Sequence, residues 1–285
     1  MELFNDEGYT YVNGEKIPRR DMSEVLLTAD LKAFLKKQYL DITDSEIDGI
    51  ILSLKSISGT IYEANKSFYK LLCDGFILNR EDRSKKDIYI SLLDFETPEN
   101  NDFKIVNQFE IEGINNQKRI PDAIVFVNGL PLVVFEFKSA VREETTIADA
   151  YTQLTVRYRR DIPELFKYNA FLVISDGANT RMGSIFTPYE YYYAWNKAND
   201  TDTVANGISS LFTMIEGAFA KDRVVALLRD FVFYPDDSPK NEAIVCRYPQ
   251  FFGARKMLDN IKLHLHPDGD GKGGTYFGAT GCGKT

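Results

Sequence analysis

Asp122 and the pair Glu136 and Lys138 are the residues whose types and spacing most clearly suggest chemistry. They stand at the start and the end of two apolar runs joined through Asn128-Gly129, a strong hairpin signal. In the second run Val133, Phe135 and Phe137 fall on one face and Val134, Glu136 and Lys138 on the other, so two opposite charges project side by side from an otherwise apolar strand. Burying a carboxylate or an ammonium costs several kcal/mol unless it is paired or metal-bound. One reason to hold them there is a hard-cation site. Carboxylates from Asp122 and Glu136, a main-chain carbonyl and waters suit Mg²⁺, and Lys138 could orient a water and offset charge on a phosphoryl group. The other reading is an ion pair between Glu136 and Lys138 at the solvated end of a strand, with Asp122 merely starting its neighbour. These three residues alone leave both readings open. The first makes a geometric demand: a strict two-residue turn at Asn128-Gly129 puts Asp122 opposite Phe135, on the wrong face. An odd-length loop or a β-bulge must then bring Asp122 beside Glu136.

A second motif, Gly278-Ala-Thr-Gly281-Cys-Gly283-Lys284-Thr285, matches the phosphate-binding pattern GxxxxGK[ST] after an expected short strand at 275–277. Successive backbone N–H groups there can cradle the phosphates of a nucleotide, with Lys284 reaching the outer ones and the Thr285 hydroxyl on Mg²⁺. Cys73, Cys246 and Cys282 show no CxxC spacing, which fits a reducing compartment and argues against structural zinc; metal ligands, if any, must be carboxylates. His264 and His266 read as helix-end residues without a catalytic role.

The elements that must position these groups follow from periodicity. Residues 23–38 have apolar positions at helical spacing, Thr43-Asp44-Ser45-Glu46 is a capping box opening a second helix, and a third runs over about 62–72 to a cap at Gly75. Strand-like runs follow at 88–93, 103–112, 122–127 and 132–138. A helix over about 147–160, closed by Ile162-Pro163, leads to a buried strand at 170–175. This is α/β punctuation. Helical period returns over 206–230; the polar, proline-flanked stretch 235–241 is the best candidate domain boundary, and a basic helix spans about 250–264. Arg142, Arg157, Arg159 and Arg160 cluster beside the carboxylates, either as phosphate contacts or as a solvated helix end. The aromatics between Tyr189 and Trp195 read as filling a seam between the core and the helical segment, with base stacking as the alternative.

Composition sets the outer limits. With 285 residues, 44% hydrophobic and 27% charged, the chain can bury a substantial core and is not disordered, collagenous or a disulfide scaffold. No apolar run approaches the roughly 20 residues that cross a bilayer, and the N-terminus lacks a signal peptide's regions, so a cytosolic protein with no membrane partner is expected. The net charge of −8 argues mildly against nucleic acid, although one basic stripe on an acidic body suffices for binding.

Pro121-Asp122 followed fourteen residues later by Glu136-x-Lys138 across a hairpin resembles the PD-(D/E)xK nuclease signature. Four further segments surround it: Glu63-Ala-Asn65-Lys-Ser-Phe68-Tyr-Lys-Leu-Leu, Asp94-Phe95-Glu-Thr-Pro98-Glu-Asn-Asn101-Asp-Phe103, Asn107-Gln108-Phe109, and Arg160-Asp161-Ile-Pro163-Glu-Leu-Phe166. Together they are similar to the N-terminal region of the R (restriction and translocation) subunit of type I restriction-modification enzymes, over nearly the whole chain. That resemblance implies an α/β fold: a restriction-endonuclease-like core of a mixed β-sheet flanked by helices, with an N-terminal helical part and the truncated start of a RecA-like helicase domain. The expected division is a helical segment at 1–60, the nuclease core at 61–180, a helical extension and linker at 181–238, and the start of the motor at 239–285.

The resemblance further implies Mg²⁺-dependent hydrolysis of double-stranded DNA, with Asp122 and Glu136 on the metal, Lys138 positioning the attacking water, and Gln153 and Tyr158 supporting the site. Glu63 is a candidate further carboxylate. The Gln153-to-Tyr158 spacing departs from the Gln-x-x-x-Tyr form of related nucleases: five residues of α-helix turn through about 500°, which rotates Tyr158 about 140° from Gln153 and leaves Arg157 on the glutamine's face. Tyr248-Pro-Gln250-Phe251-Phe252 resembles the adenine-recognising element of superfamily 2 helicase-like motors, so Gln250 joins Gly278, Gly281, Gly283, Lys284 and Thr285 as expected ATP contacts. Ending at Thr285, the chain is expected to hydrolyse no ATP by itself. In the full protein the implied partners are DNA and the methyltransferase and specificity subunits, in a bacterial cytoplasm. The competing expectation is an ATP-driven translocase whose nuclease-like N-terminal domain only binds DNA or a partner.

Overall fold

The apolar runs pair into one six-stranded mixed sheet, seen in a computed structural model that describes residues 1–138, 146–205, 207–236 and 240–277. The strands are β1 (Thr10–Asn13), β2 (Phe103–Asn107), β3 (Ala123–Val127), β4 (Leu130–Phe137), β5 (Phe171–Ser175) and β6 (Thr180–Gly183). They lie side by side in chain order. The pairs β1–β2 and β4–β5 are parallel and the other three antiparallel. A parallel neighbour requires a crossover, and the helical segment opening with α4 (Ile147–Thr152) supplies it between β4 and β5.

Between β1 and β2 the chain forms α1 (Thr28–Gln38), α2 (Asp44–Lys55) and α3 (Ile61–Asp74). Both α2 and α3 open with capping boxes, Thr43 with Glu46 and Thr60 with Glu63, and α3 ends at Gly75 with φ +63°. The expected first helix starts five residues late. Residues 23–27 run beneath the central hairpin instead, where the Leu27 N–H donates to the Gly129 carbonyl at 2.9 Å. In mid-α3 the fully buried Asn65 donates to the carbonyls of Phe166, Lys167 and Asn169, locking the helix to the loop that feeds β5.

The face of β4 that carries Phe135 packs edge-on against Phe4 and tilted against Phe219, which follows α5 (Ser210–Ala218). Next, α6 (Lys221–Asp230) accepts the buried Tyr69 hydroxyl at Leu228, and α7 (Tyr248–His264) closes over Trp195 with Phe251. One continuous hydrophobic core therefore runs from Phe4 to Phe251. Tyr192 and Trp195 are buried in it, as expected of the aromatic seam, while Tyr191 stays exposed.

Three further expected elements differ. The run at 103–112 breaks after Asn107 because Gln108 turns with φ +52°, and Ile111–Glu112 pairs instead with Lys118–Arg119. The helix over 147–160 is not uniformly α-helical: a π-helical turn occupies Gln153–Tyr158. Residues 275–277 form no strand; among the described residues no sheet edge pairs with them, and Phe277 is almost fully exposed. Among the described residues no helix is long and apolar enough to cross a membrane.

Asn128 and Gly129 turn the β3–β4 hairpin with φ +51° and +81°, as a two-residue type I′ turn demands. Asn128 is buried, accepts the Asp102 N–H and donates to the Leu92 carbonyl and Asn101. At Gly129 a Cβ would meet the Leu27 carbonyl oxygen at 2.3 Å. Gly129→Ala is therefore expected to destabilise the fold by about 2 kcal/mol, read as a lower denaturation midpoint at unchanged slope.

Candidate active site

The β3–β4 ladder contains the irregularity that a two-carboxylate site would require. Ala123 pairs with Phe135 and Val125 with Val133, but Phe126 pairs with Pro131 and Val127 with Leu130, leaving Leu132 as an extra residue on β4. This bulge shifts the register beyond it by one. Asp122, just before β3, consequently falls opposite Glu136 rather than Phe135, and residues opposite one another share a face. The Asp122 carboxylate also accepts the Phe137 N–H at 2.6 Å, which fixes it against the end of β4.

Glu136 is only 2% exposed. Its Oε1 takes the Lys138 ammonium at 2.6 Å, so the ion pair is real but does not sit at a solvated strand end. Its Oε2 is buried and has no hydrogen-bond partner among the described residues. Burial drives the Glu136 pKa up to about 7; the Lys138 hydrogen bond opposes this and the nearby Asp122 charge adds to it. Once Glu136 is ionised, two carboxylates facing one ammonium leave the group one positive charge short.

Behind the ammonium lies a directional chain of hydrogen bonds. Lys138 Nζ donates to Gln153 Oε1 at 2.7 Å, Gln153 Nε2 donates to the Tyr158 hydroxyl at 2.9 Å, and that hydroxyl donates to the Ile120 carbonyl at 3.2 Å. Because an ammonium can only donate, the glutamine amide must turn its NH₂ toward the tyrosine. The helical-wheel expectation that Tyr158 faces away from Gln153 is overturned. The intervening turn is π-helical, and its i→i+5 bonding stacks residues five apart. Tyr158 is buried, which with the neighbouring Glu136 charge pushes its phenol up to about 12, so it serves as a neutral donor and acceptor.

Glu63 is not brought to this cluster. It is exposed at the N-terminus of α3, and its Oε2 accepts both the N–H and the hydroxyl of Thr60. Its first-turn position in a capping box explains the carboxylate without any metal. Among the described residues no group of three or more His, Cys, Asp or Glu side chains gathers at one point. Of the basic cluster, Arg157 is exposed on the π-turn, Arg159 lies over the Phe186 ring, Arg160 pairs with Asp161, and Arg142 lies outside the described residues. Gln250 Oε1 accepts the Arg247 N–H at the start of α7, while Gly278, Gly281, Gly283, Lys284 and Thr285 lie outside the described residues. Sequence reasoning missed the buried Asp161, held by Arg119 and Arg160; the only signal was its place in one of the segments that carried the resemblance.

The donor set fits Mg²⁺. That ion takes one or two carboxylates and otherwise keeps water or substrate oxygens, and here two hard-oxygen side chains share a face with one buried oxygen lacking a partner. In EDTA the fold carries a pH signature. Between about pH 4.5 and 7 the folded chain retains a Glu136 proton that the unfolded chain releases, so this residue's contribution to stability falls as pH rises through that window. Glu136→Gln should remove the slope, making the variant relatively more stable at pH 8 than at pH 4 by about 3 kcal/mol, measurable by denaturant titration at both pH values.

The family described as Type I restriction enzyme R protein N terminus matches residues 1–191. The endonuclease subunit of the type I restriction enzyme HindI from Haemophilus influenzae is 32% identical to the chain over its full length, covering 28% of that subunit. A putative type I restriction enzyme MjaIXP endonuclease subunit from Methanocaldococcus jannaschii is 30% identical, again over the whole chain and 29% of the relative. The SsaAORF53P endonuclease subunit of Staphylococcus saprophyticus is 27% identical over 72% of the chain. The chain thus spans less than a third of the length of the two relatives it matches from end to end. With two thirds of its residues matched, it belongs to the family of type I restriction enzyme R protein N termini.

Proposed function

We propose that this chain is the endonuclease portion of an R subunit, with a PD-(D/E)xK centre that hydrolyses phosphodiester bonds of double-stranded DNA. The observation that carries this reading is the bulge at Leu132, which sets Asp122 opposite Glu136 while Glu136 keeps one buried oxygen unpaired. Asp122 and Glu136 would hold Mg²⁺. Bound there, the ion would polarise a phosphoryl oxygen and lower the pKa of a coordinated water. The chain's own groups do the rest. Lys138, tethered by Gln153, presents an ammonium where charge develops on the phosphoryl oxygens and can hydrogen-bond the attacking water. Gln153 is held in turn by Tyr158, so the amide aligns the ammonium instead of rotating freely. In hydrolysis the attacking water gives up a proton to solvent as its oxygen bonds to phosphorus, the ester P–O bond breaks, and the departing oxygen takes a proton from solvent. Exposed Arg157, on the turn between Gln153 and Tyr158, suits a backbone phosphate.

In the full-length protein the Gly278 to Thr285 loop would bind ATP with Mg²⁺, Gln250 would contact the adenine, and hydrolysis would drive DNA translocation. Methyltransferase and specificity subunits would complete the assembly in the cytoplasm, with residues 239–285 opening the motor. Nuclease and motor separate by mutation. In the reconstituted full-length enzyme, Asp122→Ala or Lys138→Ala should lower DNA cleavage at least about 100-fold while DNA-dependent ATP hydrolysis persists. Unimpaired cutting by either variant would discard the catalytic assignment and leave a domain that only binds DNA or a partner.

A further inference from the structure

Asp161 ends the helical segment that carries Gln153 and Tyr158, and its side chain is 4% exposed. Buried carboxylates need a reason, and this one is saturated with arginine. Its Oδ1 accepts Arg160 Nε at 2.6 Å, and its Oδ2 accepts Arg119 Nε at 2.9 Å, Arg119 Nη2 at 2.6 Å and Arg160 Nη2 at 3.2 Å. Those arginines, Arg160 foremost, hold the carboxyl below its usual range against the effect of burial.

What makes this more than a surface ion pair is where Arg119 stands. It precedes Asp122 by three residues, at the end of the small hairpin Ile111–Glu112 with Lys118–Arg119. The same hairpin sits directly on Asp161: a Cβ on Gly113 would come within 1.9 Å of the Asp161 carbonyl oxygen, so only glycine permits the approach. The Tyr158 hydroxyl donates to the carbonyl of Ile120, the next residue after Arg119. Three separate contacts, at residues 113, 119 and 120, thus fasten the approach to β3 onto residues 158–161.

Asp122 lies between two anchors. On one side is the β3 ladder, which begins at Ala123. On the other the chain runs Arg119-Ile120-Pro121, with proline fixing one backbone dihedral, so a shift at Arg119 is transmitted to Asp122. We infer that Asp161 is a positioning residue for Asp122, acting through its forked contact with Arg119 to keep the Asp122 carboxylate over the same point as Glu136. An arginine fork on a carboxylate fixes direction as well as distance, which lysine does not. This inference rests on the proposed divalent-cation centre.

Calorimetric titration of the chain with Mn²⁺ tests it. Asp161→Asn and Arg119→Gln should each raise the Mn²⁺ dissociation constant about 10-fold or more, the size of effect expected from groups that orient a metal ligand. The double variant should lose no more than either single one, because both break the same contact. Arg119→Lys, which keeps one charged hydrogen bond, should recover part of the affinity. Melting temperature is followed in parallel, and Arg119→Gln, which leaves Asp161 its Arg160 partner, carries the test should Asp161→Asn fail to fold. Wild-type affinity in both single variants, or losses that add as for independent sites, would overturn the positioning role while leaving the cation centre standing. No Mn²⁺ binding by the wild-type chain would remove the centre and the positioning role together.

Discussion

Glu136 sets the terms for the rest of the molecule. A carboxylate that is 2% exposed, with one oxygen on Lys138 and the other on nothing described, is costly; the other buried side-chain atoms without a partner among the described residues, Arg19 Nε, Asn169 Oδ1 and Trp195 Nε1, belong to no carboxylate. Glu46 shows what the same chain does with a buried carboxylate that has only a structural task. It accepts hydrogen bonds from Thr43, Arg80 and Glu81, and its pKa falls to about 2. Glu136, by contrast, is pushed up to about 7. One acid is fully paired; the other is left one partner short at a place where a second carboxylate faces it. Perturbation of that kind concentrates where chemistry is done.

Two single-residue irregularities bring the other groups to Glu136. The bulge at Leu132 moves Asp122 onto the correct face of the sheet, and the π-turn over Gln153–Tyr158 brings Tyr158 back over Gln153. Each has the same physical character: one extra residue within a regular element changes which side chains coincide, at a modest cost in ladder or helix hydrogen bonding. The π-turn carries two of the site's own residues, and the bulge lies four residues before Glu136 on the same strand. Elsewhere among the described residues the sheet and longer helices are regular, held by the Asn65 and Asn128 hydrogen-bond hubs and by one continuous core.

The bulge was legible in the sequence because a period of two is unforgiving: with Asn128 and Gly129 fixed as the turn, only an odd residue could place Asp122 with Glu136. The capping box at Thr43 and the stop at Gly75 were equally readable, since each rests on local side-chain chemistry, whereas the box at Thr60 went unread. The π-turn was not. Its signature was an unusual Gln-to-Tyr spacing, which an α-helical wheel turns into the wrong conclusion. Glu63 misled for the opposite reason, as a residue in a resembling segment whose carboxylate is spent on capping α3. Asp161 escaped notice because its partner Arg119 is 42 residues away, and distant pairings across a loop leave no periodic trace.

In the proposed nuclease centre, Asp122 and Glu136 converge on one point able to hold a divalent cation. Crystals of the chain soaked in Mn²⁺ test it most directly through anomalous scattering. A single strong peak is expected about 2.0–2.3 Å from an oxygen of each carboxylate, with Glu136 Oε2 among them. Carboxylates that point apart in the soaked crystal, with no peak between them, would contradict it.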